Sequence, residues 1–229
     1  MRSRVLLFVL ATLSPVLLSA QASTSPLSEA EIGRMITLGR ANKQGDVIKT
    51  CAARKPSTSV IGGLAGWPAA IVQGVAGGNN VFLVSLMTAR GRVAQDAWDA
   101  TVKKTSLTAS DIPDAHKQPG LWIVVVPRMP DANDDAVLPA RVTDLAIVTK
   151  LQAGDQTMRP DGALTSESLT WSNVKGATVD YQRTTAWFSG RRLQSLDLGA
   201  PAVLVVATEA GARVCEFEAG NLNKLLKAK

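Results

Sequence analysis

The chain carries only two cysteines, Cys51 and Cys215, 164 positions apart, and no other feature restricts its folding as strongly. If they are joined, a segment near the start is tied to one near the end. The chain-entropy model gives such a closure about 5 kcal/mol, an upper figure that native strain lowers. Whether they pair is set by the compartment, because thiols stay reduced in the cytosol and oxidise outside it.

The first residues bear on that choice. Arg2 and Arg4 precede an apolar run over 5–18, and Ala20-Gln21-Ala22 supplies the small residues of a cleavage site. This pattern predicts a secretory signal over 1–22 and a mature chain beginning at Ser23; the apolar run is short for a membrane anchor. No cysteine follows it to accept a lipid. An exported chain with two cysteines is expected to bridge them, so Cys51–Cys215 is the predicted disulfide.

Loss of Arg2 and Arg4 lowers the net charge from +6 to +4. The remaining basic residues are scattered, with pairs only at Lys103/Lys104 and Arg191/Arg192. Nucleic-acid binding needs a clustered basic stripe, so no nucleic-acid partner is expected. With 46% hydrophobic residues the chain has enough apolar surface for a packed core.

Ser28 and Glu31 have capping-box spacing, which predicts a helix over 29–41 with Ile32, Met35 and Ile36 on one face, ended by Gly45. Residues 56–89 contain no charged side chain before Arg90, and Gly62, Gly66, Ala70, Gly74 and Gly78 recur at every fourth position. On a helix that ladder would allow close helix contact in a membrane. Pro68, the Asn79/Asn80 pair and the glycine content favour a turn-interrupted buried segment instead, with a short strand near 59–61, a Gly-rich connection, a stretch near 69–75 and a strand over 81–88. A helix over 91–104 follows, with Trp98 as a core anchor. A buried strand is expected over 121–126 and a further strand over 141–149.

The loop 152–163, with Gly154, Pro160 and Gly162, separates an N-terminal α/β part (23–150) from a β-rich C-terminal part (151–229), which either stand apart or pack as one domain. Strands are expected over 169–174, 179–187, 203–207 and 213–218, the last two forming a hairpin, before a short helix that Asn221 opens. The expected class is α+β: a strand-helix-strand layer, then a sandwich-like β-rich part with a short terminal helix.

Chemical motifs are sparse. His116 is the sole histidine, too few for a multi-histidine zinc site; beside Asp111 or Asp114 it could act as a base only with a distant nucleophile, and no GxSxG elbow supplies one. Ser172 and Lys175 match SxxK without the accompanying motifs. Asp131, Asn133 and Asp135 resemble the opening of a calcium loop, yet Ala136 and Val142 stand where its glycine and bidentate glutamate belong, so an acidic surface turn is expected. No phosphate-binding glycine motif is present. Trp171, Tyr181, Trp187 and Phe188 are expected in the core, or alternatively as an aromatic strip for sugars or partner chains.

The expected function is an exported, non-enzymatic binding or cell-envelope structural module that needs no cofactor and takes an unidentified protein or glycan partner. The alternatives are a secreted hydrolase using carboxylates or Ser172/Lys175, and a membrane-associated oligomer built on the glycine ladder.

Overall fold

A computed structural model describes residues 25–43, 48–53, 82–127, 141–142, 145–162, 165–172, 176, 178–208 and 211–227. The expected signal, the glycine ladder with the short strand near 59–61 and the stretch near 69–75, Gly45, the acidic turn at 131–135 and Lys175 lie outside the described residues.

The fold is α+β, with a helical layer over a six-stranded sheet whose other face packs on a four-stranded sheet. Helix α1 (Glu29–Arg40) forms as its capping box requires: the Ser28 hydroxyl accepts from the Glu31 backbone N–H, and the Glu31 carboxylate accepts from Ser28 N–H at 3.1 Å. Strand β1 (Ile48–Ala53) pairs antiparallel with β2 (Phe82–Met87), and helix α2 (Ala89–Val102) follows directly. The α2 face that packs against Ile32, Met35 and Ile36 of α1 consists of Val93, Ala94 and Ala97. Trp98, expected as the anchor, is partly exposed instead. Small residues explain why: a Cβ on Gly39 would collide with the Ala94 carbonyl oxygen and lie 2.8 Å from Ala97 Cβ. The helices therefore approach more closely than a Trp between them would permit.

The short helix α3 (Asp114–Lys117) leads into β3 (Gly120–Pro127), which pairs antiparallel with β2 and with β8 (Thr178–Ser189). Strand β7 (Thr165–Ser172) pairs antiparallel with β8, and β4 (Arg141–Val142) pairs parallel with it. The second sheet runs β10 (Gly211–Phe217), β9 (Ala202–Thr208), β5 (Ile147–Ala153), β6 (Gln156–Met158). The single strand expected over 141–149 is thus two strands in different sheets. The buried Thr184 hydroxyl holds the Ala146 carbonyl at the crossing between them. The loop 152–163 contains the β5–β6 turn, and strands on both sides of it contribute to both sheets.

Inward residues of the two sheets form one core. Phe82, Val84, Leu121, Ile123 and Phe188 cluster with Leu151, Leu204 and Val206, joined by Leu193 of α4 (Gly190–Leu193) and by Leu222 and Leu225 of the terminal helix α5 (Asn221–Lys227). Cys51 on β1 and Cys215 on β10 form a disulfide between the sheets, with Cα atoms 6.1 Å apart. None of the described helices is long and apolar enough to cross a membrane.

Candidate functional site

The outer face of the six-stranded sheet carries the most concentrated polar chemistry. Strand alternation places Trp122 outward between the inward Leu121 and Ile123. The β3–β8 register sets it opposite Trp187, and the two indoles stack with centroids 5.8 Å apart. Gly120 makes room for this, since a Cβ there would meet the Trp187 indole nitrogen and the Phe188 carbonyl. The same face continues along β8 through Thr185, Arg183 and Tyr181, opposite Thr165, Glu167, Leu169 and, further on, Trp171 of β7. The aromatic strip weighed from the sequence therefore separates: Trp171, Tyr181 and Trp187 share the outer face, and Phe188 is in the core.

Helix α2 turns a charged stripe to this face. Arg92, Asp96, Asp99 and Lys103 recur at helical spacing, so one edge of an otherwise small-residue helix is ionic. Arg92 is only 7% exposed; its Nη2 donates to Asp96 at 2.9 Å and its guanidinium lies 5.8 Å from the Trp122 ring centroid. Burial pulls its pKa down, opposed by the Asp96 carboxylate, and it stays a cation. Arg183 is clamped at 2.6 Å by both Asp99 and Glu167. Burial disfavours its charge, but the two carboxylates outweigh that and raise its pKa overall. Glu167 also meets Lys103 at 3.4 Å. Burial pushes the Tyr181 phenol upward.

His116 joins this group from α3. The sequence offers Asp111 or Asp114 as its partner, and the structure corrects this. Asp111 accepts from the Thr108 backbone and hydroxyl, and Asp114 pairs with Lys117 at 2.9 Å. The His116 partner is Asp96, with Nδ1 2.6 Å from Oδ2, because α3 folds back across α2. That carboxylate contact fixes the proton on Nδ1, so Arg92 Nε, 3.3 Å from the same nitrogen, is a packing neighbour and not a donor to it. In a neutral form of the ring Nε2 is then the acceptor. The imidazole also meets Trp122 edge-on at 5.0 Å.

Of these residues Arg92, His116, Trp122, Glu167, Arg183 and Trp187 line a cleft of about 340 Å³ whose other walls include Asp161, Thr165, Thr185 and Ala186. Asp161 receives the Ser189 backbone N–H at 2.7 Å and an Arg192 ion pair; these outweigh burial and lower its pKa. Three buried nitrogens of the lining residues, Arg92 Nη1, Trp122 Nε1 and Trp187 Nε1, have no hydrogen-bond partner among the described residues, and all three are donors. Ser172 is exposed at the end of β7, away from these lining residues. Among the described residues no group of three or more His, Cys, Asp or Glu side chains could hold a metal ion.

Sequence reasoning did not assemble this site. The charged stripe on α2 was the available signal, but its partners Arg183, Glu167 and His116 meet it only after β7, β8 and α3 take their places. No family model, curated protein or solved structure matches the chain.

Proposed function

We propose that this is an exported binding module whose cleft between α2, α3 and the β7–β8 end of the sheet takes a small ligand. One observation carries the reading: an indole pair and a buried arginine line a single cleft, and three nitrogen donors of these side chains are buried without an acceptor among the described residues. Buried donors without acceptors are costly and uncommon, and a ligand that supplies acceptors removes that cost. The disulfide between distant strands and the sequence pattern of 1–22 support a place outside the cytoplasm.

The test is a thermal-shift screen of ring-sized compounds against the mature, oxidised chain and its Thr165→Trp variant. Thr165 is exposed at the cleft rim, so a Trp there obstructs entry without disturbing the core. A compound that stabilises the parent and not the variant supports the reading. Hits that stabilise both equally, or a screen without hits, contradict it.

The Asp96–His116 pair favours a second reading, an enzyme that uses His116 as a general base with Asp96 fixing its tautomer. Turnover of a cleft ligand that disappears in His116→Gln would establish it. Binding without turnover leaves the module non-enzymatic.

A further inference from the structure

We infer that β7 is a docking edge for a second copy of this chain, the two β7 strands pairing antiparallel and joining two six-stranded sheets into one. The surface concerned is the free side of Thr165–Ser172, and the cleft reading is not needed for it.

Among the described strands β7 pairs with β8 alone, so one row of its backbone N–H and C=O groups has no strand beside it. Leu169 and Trp171 are half-buried, and every other residue of the strand is exposed. The edges of the second sheet differ: residues 211–215 of β10 are buried, and β6 has only three residues. Edge strands of monomeric proteins are normally guarded by lysine, proline, a bulge or shortness. β7 has none of these guards. It is eight residues long, its sequence TSESLTWS contains neither lysine nor proline, and its register with β8 is unbroken.

Its side chains are self-complementary. A two-fold axis normal to the sheet sets the strand antiparallel to its copy and keeps each face on its own side. Ser166, Ser168, Thr170 and Ser172 form one row, bonded in part to Gln182 and Asp180 of β8, so hydroxyls meet hydroxyls, a favourable cross-strand pair. In the other row, pairing centred on Thr170 brings Leu169 of each copy opposite Trp171 of the other and leaves Glu167 beyond the paired residues. Centring one residue earlier would set Glu167 against Trp171 instead. Charge does not oppose the approach. Glu167 is answered by Arg183 at 2.6 Å and Lys103 at 3.4 Å. Asp180 of the two copies would stand three strand spacings apart, about 14 Å, beyond the screening length at physiological salt. A foreign strand would find the same backbone groups, but a second copy also matches both rows of side chains. The paired stretch, residues 168–172, is too short to bury the roughly 800 Å² per partner of a stable complex, so the association is weak and reversible.

The experiment compares the mature, disulfide-bonded chain with Thr170→Lys and with Gln194→Lys, the same charge change at an exposed position after α4. Sedimentation velocity and amide hydrogen exchange are measured at ~10 and ~500 μM, a range suited to a weak dimer. At the higher concentration the parent is expected to dimerise and the exchange of β7 amides to slow about threefold. Thr170→Lys sets two lysines face to face at the axis and should abolish both effects, whereas Gln194→Lys should keep both. A chain that stays monomeric at the higher concentration overturns the inference. So does a dimer that Thr170→Lys retains, or one whose protected amides lie outside β7. Protection of β7 by an added alternating Thr-Val peptide, in a chain that itself stays monomeric, would make a foreign strand the occupant and also overturns it. The ligand screen of the cleft is read independently, so neither result decides the other.

Discussion

Replacing Asp96 by Leu removes one carboxylate that serves two neighbours. Its oxygens lie 2.9 Å from Arg92 Nη2 and 2.6 Å from His116 Nδ1, and the Arg92 side chain is only 8% exposed. Without Asp96 the guanidinium keeps its charge, because arginine does not deprotonate, and it is too enclosed to be solvated. Removing one partner of a buried ion pair costs about 3–5 kcal/mol, since the other charge is left uncompensated. For a domain of roughly 200 residues that is a fall in Tm of about 6–20 °C. The discriminating comparison is Arg92→Met/Asp96→Leu, which withdraws the buried charge together with its partner. Replacement of a buried pair by apolar residues of similar volume is often neutral, so the double variant should recover most of the loss. Urea unfolding of the four proteins of this cycle measures the coupling directly. A single variant within about 1 kcal/mol of the parent, or a double variant as unstable as the sum of the two single ones, would refute the reasoning.

Three further outcomes can be checked on the same protein. Gly39→Ala should destabilise by about 1–3 kcal/mol in thermal melts despite the better helix propensity of Ala, because the added methyl group meets the Ala94 carbonyl and Ala97; a neutral or stabilising effect would show that α1 and α2 are not so close. The hydrogen bond from Arg90, followed by those from Ser28, holds the Glu31 carboxyl at about 2 against an ordinary 4.5. Its contribution is thus complete above about pH 4.5 and is lost as pH falls toward about 2, so Glu31→Gln should flatten the acid limb of the stability profile in that window, and an unchanged limb would remove Glu31 as its cause. Replacing Cys51 and Cys215 by Ser should cost about 2–5 kcal/mol in urea unfolding, and a loss under 1 kcal/mol would mean that the bridge constrains the unfolded chain very little.

Local rules made much of the fold legible. The Ser28/Glu31 capping box, the apolar run of β3, and the leucines of α5 are each decided by neighbours within a few residues, and each lies where the sequence indicates. The cysteine pair was legible for a different reason: two cysteines in a chain expected outside the cytoplasm have one partner each. Trp98 shows the limit. Its spacing fits a core position, but the close α1–α2 approach excludes a large side chain, and glycine and alanine fill the contact. The cleft was illegible because it is built from register. Trp122 meets Trp187, and Glu167 meets Arg183, through strand pairings between segments 65 and 16 residues apart. His116 finds Asp96 through a fold-back of α3 and not through the acids beside it in sequence.

The indole N–H resonances of the ¹⁵N-labelled protein probe the cleft most directly, because Trp122 and Trp187 both line it. Addition of a ligand found by the screen should move the Trp122 and Trp187 signals saturably and leave those of Trp98 and Trp171 in place. Shifts confined to Trp171, or no indole shift at all at a concentration that raises Tm, would place binding elsewhere and contradict a ligand site between α2 and β8.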